Sequence, residues 1–202
     1  MNQEPNEVNV SLKWAAPATT LCFIFTNLSF MFWLANTGYF GEGAGLILGL
    51  CQIGFFPAYI IGGVLLIKEN DGWNGNIFMI FATFFGATAG ITSAASYLLT
   101  VLNVTYDITP TNVCWILCGV LLIGSLPGIR DWPWTYFMIF FLAGVALILM
   151  GLGGFGILGA WSIPASGWVF LPVGILGIYC AIAGMNEHAG SPMPLGRPLF
   201  KK

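Results

Sequence analysis

The chain has 202 residues, 57% of them hydrophobic and only 7% charged, with 6 Lys and Arg against 8 Asp and Glu for a formal net charge of −2. A soluble domain carries roughly one-quarter charged residues, and no water-soluble fold of this length hides so much apolar surface. The few basic residues form no patch of the kind nucleic acid requires, so the lipid bilayer is the expected surroundings and nucleic acid is excluded as a partner.

Residues 1–13 read as a polar cytoplasmic tail, because MNQEPNEVNV lacks the basic start and apolar core of a signal peptide. A helix crossing the hydrocarbon layer needs about 20 mainly apolar residues. Segments 15–34, 44–67, 77–102, 112–129, 135–154 and 167–185 qualify, which predicts an all-α integral membrane protein with six transmembrane helices spread over 14–185. A cytoplasmic tail over 186–202 follows. The fourth segment has the shortest uninterrupted core, Val113 to Leu126. Reading it as a re-entrant loop would put Arg130 and the C-terminal basic residues on opposite sides.

All six basic residues then fall on one side: Lys13, Lys68, Arg130, Arg197, Lys201 and Lys202. The connections 35–43, 103–111 and 155–166 contain none. Short loops rich in Lys and Arg stay cytoplasmic, so both termini are predicted on the cytoplasmic side. Trp14, Trp33, Tyr39, Trp73, Trp132, Trp134, Trp161 and Trp168 cluster at predicted boundaries, where rings with a polar edge favour the headgroup zone.

No Asp, Glu, Lys, Arg or His lies deep in any segment, whereas ion pumps and proton relays place such groups in the membrane. The single His188 follows Asn186 and Glu187 and reads as a solvated terminus residue. Cys22, Cys51, Cys114, Cys118 and Cys180 all lie inside spans. They imply no disulfide framework, and apolar packing is the favoured role even for the i, i+4 pair Cys114 and Cys118. No metal ligand set, cofactor motif or catalytic constellation is present, so no cofactor and no enzyme activity is expected.

Polarity inside the spans comes from uncharged groups. In the first, Thr19, Phe23, Thr26, Asn27 and Phe30 share one helical face. In the third, Phe81, Phe85, Thr88, Thr92 and Ser96 form a face that reads as a pore wall, while Gly86 and Gly90 form a small-xxx-small pair suited to close helix approach. The competing reading is that the hydroxyls bond to the preceding turn of their own helix. Gly45, Gly49 and Gln52 extend the small-residue theme in the second span, and Pro57 and Pro172 can kink theirs.

The C-terminal run GWVFLPVGILGIYCAIAGMNEHAGSPMPLGRP resembles the corresponding end of the YaaH-type acetate and succinate permease family, through Gly167, Trp168, Gly174, Ile178, Tyr179, Asn186, Glu187, Gly190, Pro194, Leu195 and Gly196. Asn36, Gly38, Tyr39 and Phe40 are similar to the family's N-x-G-Y-F turn, and Gly75, Asn76 and Phe78 to its G-N-x-F helix start. The family's N-P-A-P-L-G signature appears only as Trp14, Ala15, Ala16, Pro17, Ala18 and Thr19, with Pro17 retained. Its second-helix G-G-x-x-Q pattern is lost, with Ala58 most nearly opposite the glutamine.

The resemblance implies a homo-oligomer, a hexameric ring in a prokaryotic inner membrane. Each subunit would have its own narrow path, closed midway by bulky apolar side chains. Phe23 matches one constriction position by its distance from Pro17, and Phe85 matches the aromatic of the third helix. The function implied is transport of a small monocarboxylate such as acetate, with succinate a further candidate, as the acid or as anion plus proton. Thr26, Asn27, Thr88 and Thr92 would supply hydrogen bonds while Phe23 and Phe85 limit size. A channel for small neutral solutes and a non-transporting accessory subunit are the competing readings.

Overall fold

The structure, a computed structural model, describes residues 17–41 and 43–200. The N-terminal tail with Lys13, the signature residues Trp14 to Ala16, and Lys201 and Lys202 lie outside the described residues. Six helices are long and apolar enough to cross a membrane: α1 (Ala18–Asn36), α2 (Ala44–Lys68), α3 (Gly72–Val101), α4 (Thr109–Ile129), α5 (Trp134–Gly154) and α6 (Ser162–His188). Among the described residues there is no strand. In hydrocarbon every backbone donor and acceptor must find its partner within the chain, which leaves helices as the form such apolar segments can take.

Local chemistry sets where the helices begin. The third starts at Gly72 rather than 77, because the Asp71 carboxylate accepts a hydrogen bond from the Asn74 amide at 3.2 Å and caps the first turn. The fourth, with the shortest apolar core, is nevertheless a 21-residue helix. It begins just before Pro110, a position where a missing N–H removes no helical bond. Two stretches depart from α geometry, a π-helical segment at Ala82–Ala89 in the middle of α3 and a closing 3₁₀ turn at Leu126–Ile129.

Glycines fix three antiparallel pairs. Gly63 meets Gly75 and Met79, Gly86 meets Phe56, and Gly49 meets Gly90 and Ala94, which runs α2 against α3. Gly184, Gly177 and Gly174 of α6 face Thr19, Thr26 and Phe30 of α1 in turn. Between α4 and α5 the backbones meet at Gly119, where an added Cβ would sit 2.6 Å from the Gly144 carbonyl oxygen and 2.7 Å from the Ile148 side chain. Association in lipid gains little from the hydrophobic effect, so van der Waals contact at such small residues supplies much of the helix–helix attraction. Contacts of α5 with α6, of α1 with α2 and of α4 with the π-helical part of α3 join the pairs into a closed bundle.

Lys68 ends α2, Arg130 follows α4 and Arg197 lies beyond α6, all at the end of the bundle that carries the start of α1. The chain after α6 folds back over that end. The Ser191 amide bonds to the Asn186 carbonyl at 2.8 Å, the Tyr179 hydroxyl donates to the Pro194 carbonyl at 2.5 Å, and the Thr135 hydroxyl donates to the Leu195 carbonyl at 2.9 Å. Phe200 closes the strap against Phe137, with ring centroids 5.5 Å apart. Tyr179 and Asn186, which carry the family resemblance, are thus structural anchors of this tail.

The packing makes a direct prediction. Gly119→Ala forces backbone against backbone and should destabilise the protein by about 1–3 kcal/mol. Gly124→Ala on the same helix, where nothing lies within 4 Å, should be close to neutral. Unfolding of the two variants in mixed detergent micelles measures the difference.

Candidate functional site

The axis of the bundle is closed by aromatic rings. Phe25 stacks on Phe81 at 4.9 Å between centroids, and Phe81 meets Phe85 edge-on at 5.0 Å. Phe32 stacks on Phe170 at 5.2 Å and meets Trp115 at 5.6 Å, while Phe85 and Trp115 lie 5.9 Å apart. Helices α1, α3, α4 and α6 each contribute, and Phe81 and Phe85 are fully buried. Offset and edge-to-face pairs of this kind add about 0.5–1.5 kcal/mol each beyond burial, so the stack is a cohesive plug.

On the side of the plug nearer the basic residues lies a cavity of about 410 Å³. Its walls carry Thr19, Cys22, Asn74, Tyr136, Glu187 and His188, and Phe25, Phe78 and Phe140 form its apolar floor. Glu187 and His188 are exposed at the rim. Asn74 is held by the cap of α3, its amide donating to Asp71 at 2.7 Å. Toward the opposite end of the bundle the Asn36 amide donates to Ser166 Oγ at 2.9 Å and approaches Met150 Sδ at 3.4 Å, joining α1, α5 and α6. Thr111, Asn112 and Ser162 are also buried at this end.

No Asp, Glu, Lys, Arg or His is buried among the described residues, and the buried polar side chains, the phenol of Tyr59 and the thiols aside, are Thr26, Ser29, Gln52, Thr111, Asn112, Thr135, Ser162 and Ser166. Likewise no group of three or more His, Cys, Asp or Glu able to hold a metal occurs among them. The arrangement is a largely apolar vestibule with polar groups on its walls and rim, an apolar closure and a polar cluster beyond it. Such an interior is unfavourable to ions.

The residues expected to border a path are only partly brought together. Phe85 is at the centre of the plug. Phe23, in contrast, is 48% exposed and turns away from the axis, whereas Phe25, two residues later, is 3% exposed and joins the stack. The inward face of α1 is Leu21, Phe25, Leu28 and Phe32, a quarter-turn or more from Phe23. Asn27 shares the outer side and donates to the Phe23 carbonyl at 3.2 Å.

Thr26 is buried, but its hydroxyl donates to the Cys22 carbonyl at 2.9 Å and packs on Gly177, so it serves the α1–α6 contact. Thr92 likewise donates to the Thr88 and Ala89 carbonyls, at 2.8 and 3.2 Å, and both threonines are half-buried. Of the other residues carrying the resemblance, Pro17 precedes α1, Tyr39 packs its ring beside Trp33 at 6.1 Å, and Asn76 donates to the Gly72 carbonyl at 2.7 Å. Phe25, Phe32, Trp115 and Tyr136 border the axis without having been singled out. Aromatic residues at inward positions of every span were the available signal, masked by equally apolar outward faces.

Neither a protein-family model nor a curated protein sequence matches the chain. Among solved structures it is similar to the bacterial acetate channel SatP, at 26% identity and a TM-score of 0.76 over 91% of this chain and 100% of that one. This likeness bears out the resemblance to the acetate uptake transporter family over the whole fold.

The plug should dominate the stability of the bundle's centre. Phe85→Ala is expected to cost about 3–5 kcal/mol and Phe23→Ala well under half of that, as read from unfolding of each variant in mixed micelles.

Proposed function

We propose that the protein is a membrane channel or transporter for small monocarboxylates such as acetate, with the path running through each protomer from the vestibule, past the aromatic plug, to the Asn36–Ser166 cluster. The observation that carries this reading is the plug itself, a gate of phenyl and indole rings with no Asp, Glu, Lys, Arg or His buried beside it among the described residues, inside a fold like that of an acetate channel. A carboxylate group has a pKa near 4 in water, so at neutral pH well under about 1% of the solute is the neutral acid. An anion would face a large desolvation penalty at the rings, with no buried cation to offset it. Proton-linked passage follows, as the acid or as anion together with proton.

Phe25 and Phe85 limit solute size in this scheme, and Thr88 and Thr92 are available beside them. Succinate is accepted only as far as the gate can widen. The basic residues at the vestibule end favour a cytoplasmic vestibule with both termini inside. Its host membrane is then a prokaryotic inner membrane. The outward faces, where Phe23 and Asn27 lie, suit contact with further copies of the chain in a ring, a hexamer on the family's pattern, and elsewhere with lipid.

Purified protein in liposomes tests the reading through uptake of labelled acetate. The expected result is flux well above that of protein-free liposomes, and flux no greater than theirs would overturn the proposal. Phe25→Ala should raise the rate for butyrate relative to acetate several-fold by shortening the gate, and Phe23→Ala should leave that ratio unchanged.

A further inference from the structure

The inward face of α2 carries two polar side chains without hydrogen bonds among the described residues. Gln52 is fully buried, and neither its amide nitrogen nor its carbonyl oxygen has a partner among the described residues. The same holds for the hydroxyl of the fully buried Tyr59. Seven residues apart, the two lie on one helical face about 10 Å apart along the axis. Buried polar groups in folded proteins are overwhelmingly paired, and each exception calls for an explanation.

Their levels bracket the plug. Gln52 sits beside Gly90, whose added Cβ would lie 3.1 Å from the Gln52 Cβ, whereas the Tyr59 ring packs on Phe78 and Phe81 at 6.0 and 6.1 Å. Phe85 falls between these two levels. Both helices are irregular there. Pro57 removes a backbone donor from α2, and the facing part of α3 is the π-helical segment Ala82–Ala89. Departures from α geometry at membrane depth are tolerated where they are buried in protein or line a water-filled cavity, and π segments recur at functional sites.

Resting on the carboxylate reading above, we infer that Gln52 is the specificity-determining residue of the path and recognises the solute as the neutral carboxylic acid. A primary amide offers one acceptor and one donor side by side, and so does a –COOH group. The acid O–H donates to the Gln52 carbonyl oxygen while its C=O accepts from the amide N–H. A carboxylate has acceptors only and would set a negative oxygen against the Gln52 carbonyl. The Tyr59 hydroxyl, able to donate and accept, provides the next hydrogen bond across the rings. Between residues 44 and 67 of α2, and on the packed helices α1 and α3, the titratable side chains are the thiols Cys22 and Cys51 and the phenols Tyr59 and Tyr97, with no carboxylate, ammonium or imidazole. The acidic proton is therefore the solute's own.

Acetate flux into proteoliposomes between pH 5 and 8, with acetamide as a neutral isostere, tests this. Wild type should lose close to tenfold in rate per pH unit at fixed total acetate, and acetamide should compete. Gln52→Met, an apolar replacement of similar length, should lower acetate flux at pH 5 at least tenfold and abolish competition by acetamide, with a thermal midpoint equal to or above that of wild type. Gln52→Glu should carry acetate near pH 5 and lose it faster than wild type as pH rises, since only the protonated side chain presents the donor–acceptor pair. Tyr59→Phe should reduce flux with the pH slope retained. A Gln52→Met protein that folds, transports acetate at the wild-type rate and still responds to acetamide would overturn the inference while leaving the transport reading intact. Should Gln52→Met fail to fold, a Gln52→Glu pH profile superimposable on that of wild type would overturn it equally. Absence of acetate flux in wild type would overturn both.

Discussion

The ring stack around Phe85 is the contact on which the rest of the bundle depends. Helices α1, α3, α4 and α6 reach the axis through side chains of that stack, and α2 joins it through Tyr59. A membrane offers no hydrophobic gain for hiding phenyl rings, because lipid tails are as apolar as the rings. What holds them inward is geometric fit: offset stacking within the cluster, and glycine contacts behind it that let the helices come close enough for the rings to meet. Gly86 and Gly90 carry α3 against Phe56 and Ile53 of α2, and Gly174 and Gly177 carry α6 against Phe30 and Thr26 of α1. A bulkier residue at these points would move the helix that delivers a ring.

The same stack separates two ends of the interior that carry polar groups. Glu187 and His188 at the rim of one, and Asn36 with Ser166 at the other, lie where water can reach or where neighbouring helices satisfy them. The tail strap works at the vestibule end, where Tyr179 ties the Pro194 carbonyl to α6 and Thr135 ties the Leu195 carbonyl to the start of α5. Tyr136 follows Thr135 directly and lines the vestibule, so the strap fixes one wall of it. This gives a physical reason for a motif-rich C-terminus far from the plug: it shapes the entrance and leaves the gate to the helices.

The number of spans, their order and the one-sided basic residues were legible in the sequence because hydropathy and charge placement act over whole segments. Faces were not. Apolar residues surround each helix on every side, so the alignment of Thr19, Phe23, Thr26, Asn27 and Phe30 on α1 looked like an inner lining, although Phe23 is 48% exposed. The inward residues Leu21, Phe25, Leu28 and Phe32 differ from the outward ones in what they touch more than in how apolar they are. On α3 a fixed 3.6-residue repeat predicted one continuous face from Phe81 to Ser96. The π segment interrupts that repeat, and the buried stripe passes instead through Phe85, Ala89, Gly90 and Ala94. Gln52 was visible as an amide within a span but was read as part of a packing surface, since its missing partners become apparent only once its neighbours are known.

An amide left unpaired in a membrane interior carries a penalty of about 1–3 kcal/mol for each unsatisfied group, and apolar residues of similar shape could occupy position 52 without it. Gln52 therefore lowers the stability of the unoccupied bundle. A guest that brings one donor and one acceptor removes that penalty at the moment it sheds its own water. The exchange favours a neutral acid over its conjugate base twice, once because the anion's hydration is far harder to strip and once because the anion lacks the donor that the amide oxygen requires. Selection by an uncharged side chain also leaves no fixed charge to hold the solute in place, which a rapid path needs and a buried cation would prevent.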